Sequence, residues 1–296
     1  MLERVHGKWI LAGEHSVLRG SPALVFPVQE KYLEFCIEDS SQEFLVQIEG
    51  ENSKEYDLLF WGLIEEALKK LNRSRSDLQG KMNISSQLPI GTGLGASAAL
   101  CVGVSKYFEK MNWITNQELY EFARSLEDLF HGQSSGVDIA VALAGKPLQF
   151  SVTGDREVFS LSWQPNWAIS YCGQRGVTSD CVRKVQSLIE SQPDLGKLLD
   201  EQMKQAVLQA REALSLSRED GVSALKEALD KANDCFGRWG LISGPLKEHM
   251  SELKGAGAIA MKPTGSGEGG FVLSLWDRKA PEQVGDHPLI KLGPFE

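Results

Sequence analysis

The sequence lacks the long apolar segments of membrane-spanning and secreted proteins. It has no run of about 18 apolar residues, the length that a transmembrane helix needs. Met1 is followed directly by Leu2, Glu3 and Arg4, without the apolar stretch that marks a secretory signal. These absences predict a cytoplasmic protein that does not act at a membrane.

Closely spaced cysteines are also missing. No two of the five cysteines form a CxxC pair; they are Cys36, Cys101, Cys172, Cys181 and Cys235. The spacing therefore argues against a zinc ribbon and against a CxxC redox centre. An odd number of widely separated cysteines instead predicts reduced, mostly buried thiols in a cytosolic protein.

Positive charge is in deficit. The chain has 31 Lys and Arg against 40 Asp and Glu, a formal net charge of −9. This balance argues against a general surface for nucleic acids or anionic lipids. A local cationic site for a small anion is still compatible with it.

The residues that are present predict an α+β fold. The apolar fraction of 42% in 296 residues is enough for the core of one large domain or two ordinary ones. Alternating apolar residues predict strands between residues 5 and 49, arranged as an early antiparallel sheet. Helical spacing of apolar residues predicts helices over residues 57–71, 178–191, 195–217 and 220–233.

A change of pattern near residues 164–166 predicts a domain boundary. The predicted domains are residues 1–164 and 165–296. The segment after Asp277 has no strong pattern and is predicted to pack loosely.

The most distinctive stretch, residues 88–100, combines spaced glycines with a helix start. Gly91, Gly93 and Gly95 occupy alternate positions, and alanines follow. Glycine permits backbone conformations that other residues resist, and alanine favours helix. Such a turn directs backbone N–H groups at one point, where the helix dipole also favours negative charge. The stretch predicts a phosphate site; the alternative is a tight connection that binds nothing.

A second glycine loop, residues 262–270, matches the letters of a G-x-G-x-x-G motif but lacks the structural context of that motif. A dinucleotide fingerprint needs a helix after the loop, whereas the sequence here predicts a strand. No G-x-x-x-x-G-K-[ST] motif exists, which excludes a Walker-type site. We therefore interpret the loop as a strand–turn–strand whose backbone closely approaches another group.

Charged residues stand in two apolar segments. Lys8 lies in a predicted strand, Asp138 lies in an apolar helical run, and each needs a partner if it is buried. A buried Lys–Asp pair beside a phosphate site suits proton abstraction from an attacking hydroxyl. A structural ion pair or an exposed polar face is the alternative. Glu14 and His15 end the strand of Lys8, and a lone histidine often only satisfies local hydrogen bonds.

Together these stretches resemble the GHMP kinases, the family named for galactokinase, homoserine kinase, mevalonate kinase and phosphomevalonate kinase. Residues 7–23, 89–99 and 262–270 match three family motifs in the family's order. Within the family, the first motif and residues 131–138 are most similar to mevalonate kinases. The resemblance implies an N-terminal ATP-binding domain like domain 2 of ribosomal protein S5 and a ferredoxin-like C-terminal domain.

The resemblance also implies ATP and Mg²⁺ as cofactors and a role for each matching residue. Asp138 would take the proton of the substrate hydroxyl, Lys8 would orient Asp138, and Ser97 and Glu127 would hold Mg²⁺. The implied ATP contacts are Pro89, Gly91, Gly93, Leu94, Gly95, Ala96, Ser97, Gly265 and Gly267. The implied substrate contacts are Glu14, His15, Thr178 and Ser266.

The chain departs from the family's pattern at several positions. Ser266 replaces a usual alanine, and Ile139 replaces a residue that is often polar. Gln133 stands where asparagine or proline-containing variants are usual. Glu268 adds negative charge to a loop of small residues, and Pro263 interrupts the approach to it.

The implied activity is phosphorylation of the primary hydroxyl of mevalonate by ATP, which gives 5-phosphomevalonate. One alternative is another acceptor such as phosphomevalonate, for whose additional phosphate Arg175 and Arg183 are the nearby cations. A second alternative, motivated by Glu268, is a GHMP-fold protein that binds nucleotide without turnover. The expected partner is a small hydroxy acid, with neither nucleic acid nor membrane, and a homodimer is left open.

Overall fold

The structure is a computed structural model that describes residues 1–131 and 134–295. Contacts divide the chain into two compact units. The first comprises Met1–Lys8, Pro27–Ile90 and Leu94–Gly145, and the second comprises Trp9–Phe26, Gly91–Gly93 and Lys146–Glu296. The domain boundary near residue 164 stays a prediction.

The first unit is built on a sheet and the helices that follow it. Its elements, some of which extend into the second unit, are β1 (Leu2–Ala12), β2 (Ala23–Glu43), β3 (Leu45–Gly50), α1 (Ser53–Lys70), β4 (Gln79–Ser86), α2 (Ala96–Lys110), α3 (Leu119–His131) and α4 (Val137–Ala144). Leu33, Phe35 and Ile37 alternate along β2 and are buried, as their period predicts. β2 pairs with β4 in antiparallel fashion.

One part of the predicted early sheet is wrong. β3 runs parallel to β4 rather than antiparallel, with Leu45 opposite Lys81 and Gly50 opposite Ser86. The reason is the intervening helix α1, because a helical crossover lets the next strand run in the same direction as the previous one.

The elements of the second unit are β5 (Leu148–Phe150), β6 (Arg156–Val158), β7 (Asn166–Tyr171), α5 (Thr178–Ser191), α6 (Pro193–Ala213), α7 (Arg218–Arg238), α8 (Gly244–Gly255), β8 (Ala260–Thr264), β9 (Phe271–Trp276), β10 (Gln283–Val284) and β11 (His287–Lys291). Five of these strands form a sheet in the order β10-β11-β7-β9-β8. The predicted α+β class is therefore confirmed.

The prediction of a loosely packed segment after Asp277 is wrong. β11 pairs with β7, with Leu289 opposite Ser170. Val284 and Leu289 are buried in one hydrophobic cluster with residues of α8. The segment carries too few apolar residues for a clear period, and it becomes ordered because β7 offers it an edge for pairing.

Among residues 1–131 and 134–295, none of the helices combines the length and the apolar character needed to cross a bilayer.

Candidate active site

A buried lysine and an aspartate form an ion pair in the first unit. Lys8 Nζ lies 3.2 Å from Asp138 Oδ2, and the two side chains are 7% and 21% exposed. Lys8 lies on β1, where its backbone N–H donates to the Leu94 carbonyl at 2.9 Å. Asp138 lies in the first turn of α4, which begins after the left-handed Gly136. The structure thus brings together the two residues that were paired on charge alone.

The first glycine loop adopts left-handed backbone at its three glycines. Their φ values are 75° at Gly91, 90° at Gly93 and 74° at Gly95. A Cβ at Gly95 would lie 2.8 Å from Lys8 Cγ. Glycine is therefore required at this position both for its φ and for the close approach of Lys8. The stem of Lys8 passes beside the start of α2, where free N–H groups and the helix dipole favour an anion.

The other predicted loop residues differ in exposure. Leu94 and Ala96 are buried, whereas Pro89 and Ser97 are partly exposed. Ala96 and Ser97 are the first two residues of α2. The backbone of this turn is thus placed to bind an anion, and the Ser97 hydroxyl lies beside it.

Glu127, on α3, is almost fully buried, with 1% of its surface exposed. Ser134 Oγ donates a hydrogen bond to Glu127 Oε2 and accepts one from the Gly136 N–H at 3.0 Å. Ser134 therefore connects the Glu127 carboxyl to the start of α4. Sequence reasoning missed this serine. The one indication in the sequence was a hydroxyl side chain between the two acidic candidates, Glu127 and Asp138.

The electrostatics around Glu127 suit a cation. Burial, and next the charge of Asp138, raise the pKa of Glu127 to about 8. Burial and then the charge of Glu127 raise the pKa of Cys101 on α2, the helix that packs against α3. Ser97 lies one helical turn before Cys101, on the same face of α2. Two carboxylates and a hydroxyl are the hard oxygen donors that Mg²⁺ takes, so these residues fit a magnesium ion.

Glu127 should make the ligand-free protein less stable as pH rises. The carboxyl has an ordinary pKa of 4.5, whereas its folded pKa is about 8. The folded state holds the additional proton between these values, so this stabilisation is complete below pH 4.5 and lost as pH rises through 8. We expect Glu127→Gln to exceed wild type in unfolding free energy by about 2 kcal/mol at about pH 9 in urea titrations without Mg²⁺.

The matched control for Glu127→Gln is Glu121→Gln on the same helix. Glu121 is 68% exposed and pairs with Arg124 at the surface. Its substitution should leave the slope of stability against pH as in wild type. Equal slopes in wild type and Glu127→Gln would contradict the assignment of the pH dependence to Glu127.

A second buried charge pair lies in the second unit. Lys262 Nζ donates to Glu14 Oε1 and, at 3.3 Å, to the Ile10 carbonyl. The Lys262 side chain is 0% exposed and lies over the Phe236 ring at 5.2 Å from its centroid. Within the described residues, Glu14 Oε2 has no hydrogen-bond partner. Burial raises the pKa of Glu14, and Lys262 opposes this rise.

His15 holds the second glycine loop. Its Nε2 lies 2.9 Å from the Ser266 carbonyl. A carbonyl can only accept, so Nε2 carries the proton of the ring. Burial lowers the pKa of His15 to about 4, which keeps the imidazole neutral near pH 7. The ring packs edge-on against Trp239 at 5.2 Å.

Two hydroxyls beside this loop are more accessible. Thr178, the first residue of α5, donates to Ser266 Oγ at 3.4 Å. Thr178 is exposed and Ser266 is partly exposed. These two predicted substrate contacts therefore lie together, and both hydroxyls can reach a polar ligand.

The second glycine loop approaches the first through its backbone. A Cβ at Gly270 would lie 3.0 Å from the Thr92 carbonyl oxygen, and a Cβ at Gly265 would lie 3.9 Å from the Gly93 carbonyl oxygen. The strand–turn–strand that was predicted is present, between β8 and β9. The close approach at Gly270 leaves little room for a side chain.

The negative charge at Glu268 has a local partner. Lys184 Nζ, on α5, lies 2.5 Å from Glu268 Oε1. Cys181 Sγ donates to the Gly267 carbonyl at 3.4 Å and fixes the loop to the same helix. Lys184 therefore neutralises the charge on which the alternative of a nucleotide-binding protein without turnover was based.

The other departures from the family pattern also have structural reasons. Pro263 lies on β8, an edge strand, where a missing N–H costs least. Ile139 is fully buried, which accounts for an apolar residue after Asp138. Gly132 and Gln133 lie outside the described residues.

The two arginines considered for an additional phosphate differ in their surroundings. Arg183 pairs with Asp180 at 2.6 Å within α5. The Arg175 side chain passes beside the first glycine loop, because a Cβ at Gly91 would lie 3.3 Å from Arg175 Cδ.

The chain is similar to known proteins along most of its length. The family model of the GHMP kinases N terminal domain matches residues 61–146. The mevalonate kinase of Pyrococcus abyssi is 28% identical over 309 residues, covering 95% of this chain and 90% of that protein. The mevalonate kinase of Pyrococcus horikoshii is 27% identical over 300 residues, covering 93% and 88%.

The fold is shared with a solved structure, that of L. major mevalonate kinase in complex with R-mevalonate. The TM-score is 0.76 at 23% identity, with 94% of this chain and 87% of that chain covered. These similarities confirm the resemblance to the GHMP kinases and the α+β fold with two sheets that it implies.

Proposed function

We propose that this chain, which carries the N-terminal domain of the GHMP kinases, transfers the γ-phosphoryl group of ATP to the primary hydroxyl of mevalonate. The products are 5-phosphomevalonate and ADP. The observation that carries the proposal is the ion pair between buried Lys8 and partly exposed Asp138, beside the glycine turn that opens α2. Similarity to mevalonate kinases over nine-tenths of the chain supports the choice of acceptor.

Asp138 is the proposed proton acceptor. Its carboxylate would take the proton of the substrate hydroxyl while that oxygen bonds to the γ-phosphorus and the bond to the β-phosphate oxygen breaks. Lys8 would orient Asp138 and offset the charge that develops on the transferred oxygens. The burial of Lys8 supports this role, because an ammonium held out of water keeps a fixed partner.

The glycine turn and α3 supply the proposed nucleotide side of the site. Backbone N–H groups of Gly91, Gly93 and Gly95 would bind phosphate oxygens. Ser97 and Glu127 would hold Mg²⁺, which when bound neutralises phosphate charge. The raised pKa of Glu127 supports this assignment, since a buried carboxyl near Asp138 gains most from a cation.

The proposed acceptor side consists of Glu14, His15, Thr178 and Ser266. The Thr178 and Ser266 hydroxyls are accessible and would hydrogen-bond polar groups of the substrate. His15 would act through the Ser266 carbonyl that it holds. Glu14 is buried, and its unpartnered Oε2 would accept a hydrogen bond from a hydroxyl admitted to it.

The test is release of ADP with mevalonate, phosphomevalonate, homoserine and galactose in parallel, each with MgATP. We expect turnover of about 1–100 s⁻¹ with mevalonate, and a kcat/KM at least about 100-fold lower with the others. Phosphorus NMR should show a new phosphate monoester, and a reaction without acceptor gives the ATPase background.

Two outcomes would replace the proposal. Preference for phosphomevalonate would assign Arg175, beside Gly91, to a second phosphate. No ADP above background with any acceptor, from a folded protein that binds ATP, would favour a nucleotide-binding protein without turnover.

A further inference from the structure

Two histidines and a glutamate meet in the second unit, and none of the three is a residue assigned to phosphoryl transfer. His249 and Glu252 lie on α8, and His287 is the first residue of β11. His249 Nδ1 and His287 Nε2 each lie 3.6 Å from Glu252 Oε2. The ligand atoms of all three residues lie within 4.8 Å of one another.

We propose that His249, Glu252 and His287 form a Zn²⁺ site that joins α8 to β11. Zinc binds nitrogen and oxygen ligands at about 2.0–2.2 Å, so tetrahedral ligand atoms lie about 3.3–3.6 Å apart. The two separations of 3.6 Å already match this geometry. Two imidazoles select zinc or a neighbouring transition metal over Mg²⁺ and Ca²⁺, which take oxygen ligands.

His249 offers a nitrogen that lacks a partner. The residue is 1% exposed, and within the described chain its Nδ1 has no hydrogen-bond partner. Its Nε2 lies 2.7 Å from Ser170 Oγ. A distance of 3.6 Å to the Glu252 oxygen is too long for a hydrogen bond. A buried polar atom without a partner is costly, and a metal ion at this point would satisfy it.

The His287 ring is oriented with its Nε2 toward the same Glu252 oxygen. Its Nδ1 lies 2.7 Å from the Tyr171 carbonyl, which can only accept, so Nδ1 carries a proton. In the neutral ring, Nε2 then presents its lone pair near the Glu252 oxygen. A hydrogen bond from the second ring nitrogen to a carbonyl is the usual support of a zinc-bound histidine.

The two imidazole rings also lie against each other. The centroids of His249 and His287 lie 4.1 Å apart. One ligand atom from each of two imidazoles and one carboxylate thus converges at a single point, where a cation would bind all three.

The fold positions these residues without the metal. Leu246, Met250 and Leu253 of α8 share one hydrophobic cluster with Val284 and Leu289 of the β10–β11 hairpin. The helix and the hairpin are thus packed together before any ion binds. The Glu252 side chain is 51% exposed, so water can complete the coordination.

The proposed ion is structural. It would fix the C-terminal hairpin to α8 and would not take part in phosphoryl transfer. We therefore expect zinc binding to raise the melting temperature and to leave kcat with MgATP unchanged. This separates the zinc site from the proposed kinase activity, because either can fail without the other.

The experiment uses the full chain, treated with chelator and then dialysed against ZnCl₂. We expect one Zn²⁺ per chain by elemental analysis and a melting temperature higher by about 2–5 °C. Co²⁺ in place of zinc should give the visible absorption of a tetrahedral nitrogen and oxygen site. His287→Gln and Glu252→Gln should each weaken zinc binding at least about 10-fold and abolish the thermal shift.

The matched control is His6→Gln, which removes a partly exposed imidazole of the first unit. This variant should bind zinc as wild type does. The proposal is overturned if wild type binds no zinc at about 10 µM free metal, a concentration well above the dissociation constants usual for structural zinc sites. It is also overturned if His287→Gln and Glu252→Gln bind zinc as tightly as wild type.

Discussion

Asp138→Asn should retain ATP binding and lose turnover by about 10²–10⁴-fold. Asparagine keeps the size of the side chain and still places an oxygen near Lys8, but an amide cannot take a proton from a hydroxyl. The substitution therefore removes the proposed proton acceptor and leaves the glycine turn and Glu127 in place. kcat for mevalonate should fall, the KM for ATP should change by less than about 3-fold, and phosphorus NMR should show little product.

The control for Asp138→Asn is Asp230→Asn, an exposed aspartate that pairs with Lys226 on α7. It should keep the kcat of wild type. The alternative interpretation, that the Lys8–Asp138 pair is only structural, predicts a lower melting temperature with kcat retained in the fraction that stays folded. Near-wild-type turnover by folded Asp138→Asn would therefore remove Asp138 from the mechanism.

The pair of Lys8 and Asp138 could be predicted because each charge stands alone in an apolar segment. A strand and a helix that are otherwise apolar are buried, and a buried charge needs a partner of opposite sign. Few residues meet that description, so composition restricts the pairing. The same logic applies to the glycine turn, where spacing and the helix that follows indicate the backbone geometry.

The partner of Glu14 could not be predicted in this way. Lys262 is 248 residues away in the chain, and it was considered only as the start of a glycine loop. Lys262 stands in the apolar strand β8 as Lys8 stands in β1, so the two lysines give a similar signal. The burial of Lys262 depends on how β8 packs, and no periodic pattern of apolar residues near it in the sequence indicates that packing. Ser134 was missed for the same reason, because its value lies in a hydrogen bond to Glu127.

The fold class could be predicted more readily than the strand pairing. The helix over residues 178–191 agrees with α5, since an amphipathic period is a local property. The parallel pairing of β3 and β4 and the ordering of β11 depend on distant strands. Such pairing is decided by the partner strand and the crossover between strands, and no single segment encodes it.

Lys262→Met should lower the free energy of unfolding by about 3–5 kcal/mol. Methionine fills most of the volume of the lysine stem but removes the cation that faces Glu14. The carboxyl is buried, and among residues 1–131 and 134–295 Lys262 is the cation that forms an ion pair with it. Urea titrations followed by circular dichroism measure the loss. Lys226→Met, at an exposed pair with Asp230, is the matched control and should cost less than about 1 kcal/mol.

The pH dependence of the Lys262→Met deficit separates lost charge from lost packing. Burial already raises the pKa of Glu14 in the wild-type fold, and removal of Lys262 raises it further. A raised folded pKa gives stability that is lost as pH rises, so the deficit should grow with pH and shrink in acid, where Glu14 is protonated. Adding Glu14→Gln to Lys262→Met should recover about 1–3 kcal/mol near pH 8, because the unpaired charge is gone. A deficit that is constant with pH, and no recovery in the double variant, would assign the loss to packing around Phe236 instead.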